Sequence, residues 1–236
     1  MKRLAVLTAA VAMVTLTPAA ASGTQAVPVQ RVRAGAAKNW AGYIAHGGPF
    51  TSASTSWTEP SIRCGSSERS ALASFAGIDG AGSSTVEQIG TLANCRNGRV
   101  THQGFYEMFP RSAFGISKKV RAGDSLTASV VVTAPKTFKL TLVNHTAGWT
   151  FTTQQRSRNA QLASAEAIAE APSLRGSGIV PLANFGQINY SGTTANGQPL
   201  ANLGPEAVTM VTSNGTVKAQ PTGISGGSFS VIWHHA

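Results

Sequence analysis

Residues 164–170 read Ser164-Ala165-Glu166-Ala167-Ile168-Ala169-Glu170, and Ala171-Pro172 closes the run. Whether this run is helix or strand decides the fold class. The Ala, Leu, Glu and Gln of residues 160–171 favour helix by propensity, and local sequence alone reads as one. A spacing of four puts Glu166 and Glu170 on one face of a helix. In a strand the period of two also puts them together, with Ile168 between and alanines on the opposite side. Acids are scarce, nine in 236 residues. Two of them inside an alanine-rich run are either on a solvated face or buried. A buried carboxylate must be paired, hydrogen-bonded or held neutral, because burying it bare is costly.

Outward from this run, the chain reads as strands. Residues 53–57, 127–133, 138–143 and 149–153 alternate or are rich in β-branched and aromatic types, as are 208–212, 217–219 and 229–233. Turn signals separate them: Gly47-Gly48, Asn97-Gly98, Ala122-Gly123-Asp124, Asn196-Gly197, Asn214-Gly215 and Gly226-Gly227. Short strands at this spacing predict antiparallel sheets packed face to face. The length fits one main domain, and 42 % hydrophobic residues suffice for its core.

Residues 1–21 read as a secretory signal, with Lys2 and Arg3 at the start, an apolar centre from Leu4 to Leu16, and Ala19-Ala20-Ala21 as a cleavage pattern. The apolar run is shorter than the ~20 residues that cross a bilayer, so the reading is an exported protein without a membrane span. Residues 22–38 are small, polar and basic. They read as a mobile amino-terminal segment or short propeptide, with the domain proper at 39–236. Without Lys2 and Arg3 the formal charge falls from +10 to +8. The basic residues form no dense run interleaved with aromatics, which argues against a nucleic-acid partner. In an exported chain, Cys64 and Cys95 are expected to pair. The loop so closed holds Asp79 and Gln88.

Several chemistries lack their motifs. There is no His-Glu-x-x-His and no Asp-Thr/Ser-Gly, and the two cysteines have no histidines at zinc spacing. No metal or cofactor is called for.

Five blocks in order carry a resemblance: Asn39-Trp40-Ala41-Gly42-Tyr43, Gly77-Ile78-Asp79-Gly80, Val86-Glu87-Gln88-Ile89-Gly90, Tyr106-Glu107-Met108-Phe109-Pro110, and Ser164-Ala165-Glu166 through Glu170-Ala171-Pro172. Pro181-Leu182-Ala183-Asn184-Phe185-Gly186 is a sixth. Together they resemble the glutamic peptidases, the eqolisins of scytalidoglutamic type, over residues 39–235. The resemblance implies an all-β, antiparallel β-sandwich of two large packed sheets, of concanavalin A-like lectin/glucanase type. It therefore implies strand, not helix, for residues 164–170. It implies a secreted, monomeric endopeptidase that hydrolyses polypeptides at acidic pH. Its catalytic pair corresponds to Gln88 and Glu170. Trp40, Asp79, Tyr106 and Glu107 correspond to supporting or substrate-binding positions, with Asp79 near enough to fix the pair. The sequence departs from the family at Phe75, Ala76, Phe105, Ala167 and Ala169, where more bulk is usual, and this predicts a wider cleft. The basic charge balance departs from fungal members too.

One acid and one amide suffice for peptide hydrolysis. Glu170 can take a proton from water and pass it to the leaving amine, and the Gln88 amide can donate to the oxyanion and orient the water. In an ordinary environment Glu170 would titrate near ~4.3, with Glu107 or Asp79 setting a falling limb at higher pH. The alternatives are a glycoside hydrolase using Glu107 and Glu170, a glycan-binding sandwich using Trp40, Trp57, Tyr106 and Trp149, and an inactive peptidase homologue.

Overall fold

The computed structural model describes residues 35–174 and 178–236. The expected signal at 1–21 and residues 22–34 of the segment after it lie outside the described residues. Pairing begins within that segment's end, at β1 (Ala36–Ala37). The next strands are β2 (Trp40–His46), β3 (Ser52–Thr58), β4 (Arg69–Asp79), β5 (Val86–Arg96) and β6 (Arg99–Phe109). Then come β7 (Phe114–Lys119), β8 (Ser125–Ala134), β9 (Thr137–Asn144), β10 (Trp149–Arg156), β11 (Ser164–Glu170) and β12 (Ser173–Leu174). The chain ends with β13 (Gly178–Ile179), β14 (Gln187–Ala195), β15 (Gln198–Pro199), β16 (Glu206–Val211), β17 (Val217–Pro221) and β18 (Phe229–Trp233). One 3-10 turn, Leu200–Leu203, is the only helical element among the described residues.

The fold is all-β and, apart from the short β1–β16 pair and an isolated Ala71–Leu182 bridge, antiparallel among the described residues. One hydrogen-bonded path runs β10-β9-β8-β3-β14-β18-β17-β16-β2-β11-β4-β5-β6-β7. It folds back so that β4 and β5 lie against β8 and β9. Two large packed sheets were expected. The two halves are joined through β16, whose first residues pair with β2 and whose last pair with β17, with a register shift at Met210/Val211. Strands that change partners at a bulge are how a sheet turns such a corner.

The run 164–170 is a strand, β11, paired with β2 over its full length and with β4 from Ala165 to Glu170. Tertiary pairing overrides its helical propensity. Gly42 makes the close fit possible, since a Cβ there would strike the Ala167 carbonyl.

The core between the halves is lined by Leu126, Val130, Phe138, Leu140 and Leu142 on one side and Ala76, Ile78, Ile89 and Met108 on the other. Each fully buried side chain of the larger kind stabilises by about 1.5–3 kcal/mol. Ala167 and Ala169 belong to this core. Their small size therefore serves the contact between the halves and does not widen a cleft on the other face, as expected from sequence. That other face of β2, β11, β4, β5 and β6 carries a second apolar cluster, which includes Trp40, Ile44, Phe75, Leu92, Phe105 and Ile168. The Cys64–Cys95 disulfide is formed and ties the connection leading into β4 to the end of β5.

Candidate active site

Register places the acids. Glu166, Gly77, Gln88 and Glu107 lie in one row across β11, β4, β5 and β6. Cross-strand partners share a face, so all four look away from the main core, with the second cluster. Glu170 is on the same face four residues along β11, paired with Trp40 on β2 and Ala73 on β4. Gly77 is glycine for a steric reason: a Cβ there would come within 2.5 Å of Glu166 Oε1.

Gln88 Nε2 donates to Glu107 Oε2 at 2.6 Å. Asn39 Nδ2 donates to Glu170 Oε1 at 2.8 Å. All four side chains are buried. Burial pushes the Glu170 carboxyl up to about 8; the nearby Glu107 charge adds to the rise, while Trp40 and Asn39 pull the other way. Burial likewise pushes Glu107 up to about 7 against the hydrogen bond from Gln88. Glu170 is thus not in the ordinary environment that the ~4.3 reference assumes. Gln88 Oε1 and Asn39 Oδ1 are buried with no protein partner.

The structure brings together Gln88, Glu107, Glu170 and Trp40. Trp40 stands edge-on to Phe75, with ring centres 5.7 Å apart, and covers Gly80. Two residues named from the sequence sit elsewhere. Tyr106 neighbours Glu107 on a strand and so points to the opposite face, where it stacks on Phe114 and Phe151 at 5.3 and 6.0 Å. Asp79 bonds neither Gln88 nor Glu170. Its carboxylate accepts the backbone N–H groups of Gln161, Leu162 and Ala163 at 2.8–3.0 Å, and the Thr85 hydroxyl. It anchors the loop that leads into β11.

Sequence reasoning gave no role to Asn39, although it sits in the first quoted block, beside Trp40. It also missed the burial of Glu87. Glu87 and Glu166 are buried, and none of their carboxyl oxygens has a hydrogen-bond partner. Burial drives Glu87 up to about 8 and Glu166 well above the carboxylate range, with the Asp79 charge adding to each. With its oxygens unpartnered, burial pushes Glu166 toward its neutral form. Seven of the nine acids are buried, which leaves Glu68 and Glu206 toward solvent.

Comparison with known proteins agrees with this geometry. The Peptidase A4 family model matches residues 38–233, and the chain belongs to that family, the glutamic peptidases or eqolisins. It is 26 % identical over 220 residues to aspergillopepsin-2 of Aspergillus niger, covering 83 % of this chain and 77 % of that protein. Scytalido-glutamic peptidase, solved with a transition-state analogue inhibitor, superposes with a TM-score of 0.73 at 25 % identity, over 84 % of this chain and 98 % of that one. The eqolisin SCP-B, solved with the tripeptide Ala-Ile-His, gives 0.69 at 26 % identity over the same shares.

Proposed function

We propose that this protein is a secreted endopeptidase that cleaves polypeptides on the acid side of neutrality, using Gln88 and Glu170 with an activated water. The observation that carries the reading is a buried acid and amide cluster on one face of the sheet, with Gln88 bonded to Glu107, Asn39 steadying Glu170, and the Glu107 charge near enough to raise Glu170. The unpartnered Gln88 Oε1 and Asn39 Oδ1 support it, because buried polar atoms are nearly always hydrogen-bonded. A polar substrate group or an attacking water would satisfy them.

Glu107 and Glu170 titrate as a pair, and the working form has lost one of two protons. The remaining carboxylate charge takes the proton of the attacking water, and the proton returns to the leaving amine. The Gln88 amide, positioned by Glu107, donates to the oxyanion. Turnover rises as the first proton leaves and falls as the second leaves. Burial raises both titrations above the ~4.3 of an ordinary carboxyl, Glu107 to about 7 and Glu170 to about 8, so both limbs of the bell are shifted upward.

The two packed halves are read as a sandwich of concanavalin A-like type, and the protein as a monomer. Export rests on the signal pattern at 1–21, supported by the disulfide. Among the described residues no helix is long and apolar enough to cross a membrane.

The Glu107–Glu170 pair keeps one rival open, glycoside hydrolysis by two carboxyls. Incubation of the protein with unfolded casein and, separately, with polysaccharides decides between them. Peptides from casein are expected. Sugar release without peptides would support the rival, and binding of sugar without either activity would support a lectin.

A further inference from the structure

The face that carries Gln88 and Glu170 ends in a row of arginines. Arg69, Arg96 and Arg99 are register partners across β4, β5 and β6, and all three are exposed. Like charges set directly opposite one another weaken a ladder, so this row does not serve the sheet. The ion pairs formed among the described residues are His46–Glu206 and His102–Glu59, and neither involves these arginines. Glu68, the adjacent acid, is taken up by the Ser70 hydroxyl and the Gly65 N–H. With seven of nine acids buried, little else on the surface offsets the row.

A groove of about 590 Å³ joins the arginines to Leu92, Gln103 and Val180. Leu92 is the partner of Ala73, itself the partner of Glu170. The near end of the groove therefore lies in the Glu170 row, and the arginines lie four strand residues further on, roughly 13 Å at about 3.3 Å per residue. Guanidinium groups bind carboxylates with two parallel hydrogen bonds.

We propose that Arg69, Arg96 and Arg99 form a substrate subsite for an Asp or Glu side chain, about three to six residues from the cleaved bond, counted at the rise of an extended chain. This rests on the peptidase reading and names a preference within it. The test is a set of quenched peptides of about fourteen residues, long enough to span site and row, identical except for one Glu moved along both sides of the cleaved bond. The all-Gln peptide is the reference. At low salt, Glu at one or two neighbouring positions on one side should lower KM about three- to tenfold with kcat little changed, and added salt should erase the difference. The preference should also fade below about pH 4, where the substrate carboxyl gains its proton. It should vanish in an Arg69→Gln, Arg96→Gln, Arg99→Gln triple variant and largely survive Arg96→Lys. Binding of the Glu and Gln peptides to folded Glu170→Gln, measured by calorimetry, reads the subsite without any turnover. Equal affinities there, or a preference unchanged in the triple variant, overturn the subsite even if casein is cleaved. A gain seen only with a free terminal carboxylate, and not with an internal Glu, overturns the side-chain assignment.

Discussion

In the proposed mechanism Gln88 and Glu107 act as a unit, because the amide assigned to the oxyanion is held at 2.6 Å by a neighbouring carboxyl. Gln88→Ala removes the donor and should cost about 10²–10³-fold in kcat, the scale of a lost oxyanion donor. Gln88→Glu should be as damaging, because a third carboxyl beside Glu107 and Glu170 would disturb their shared titration. Steady-state kinetics on purified, folded variants measures both. Asp79 behaves differently. It holds three backbone N–H groups of the loop before β11, and hydrogen bonds to a charged group contribute roughly 1.5–3 kcal/mol each. Asp79→Asn should lower the melting temperature clearly while costing less kcat than Gln88→Ala, and thermal melts beside kinetics would show it.

At the scale of elements, β4 and β5 are held by the longest ladders and by the Cys64–Cys95 bridge at their ends. Closing a loop of about 30 residues stabilises by roughly 3–4 kcal/mol on the chain-entropy model. Reduction should therefore lower the melting temperature, and unreduced, denatured protein should show no free thiol. Legibility in the sequence followed burial. β8, β9 and β10 have one wet face, and their alternating residues announced them. Asn97-Gly98 announced the two-residue turn between β5 and β6, where both residues take positive φ. By contrast β4, β5 and β11 are buried on both faces, so no alternation survives. The order of motif blocks, not periodicity, revealed them. The same blocks pointed to Gln88, Glu170, Glu107 and Trp40. They could not say that Tyr106 faces away, which only strand parity decides, nor that Asn39 donates to Glu170, which depends on a contact 131 residues distant in sequence.

For the molecule as a whole, four carboxyls, those of Glu87, Glu107, Glu166 and Glu170, titrate higher in the fold than in the unfolded chain. A group with a raised folded value contributes stability that is fully present below its unfolded value, near ~4.3, and is lost as pH rises through the folded value. The protein should therefore be more stable near pH 4 than near pH 8, with the loss spread up to about 7 and about 8, where Glu107, Glu87 and Glu170 titrate. Melts across this range measure it; each kcal/mol amounts to about 2–4 °C in a chain of this size. Glu166→Gln, which is neutral at every pH, should flatten the slope. The most direct test of the dyad is turnover of an unfolded protein against pH by the wild type and by Glu170→Gln, with folding checked by circular dichroism. A bell with its rising limb above ~4.3 is expected for the wild type, and near-complete loss at every pH for the variant; a folded Glu170→Gln that turned over like the wild type would contradict the dyad.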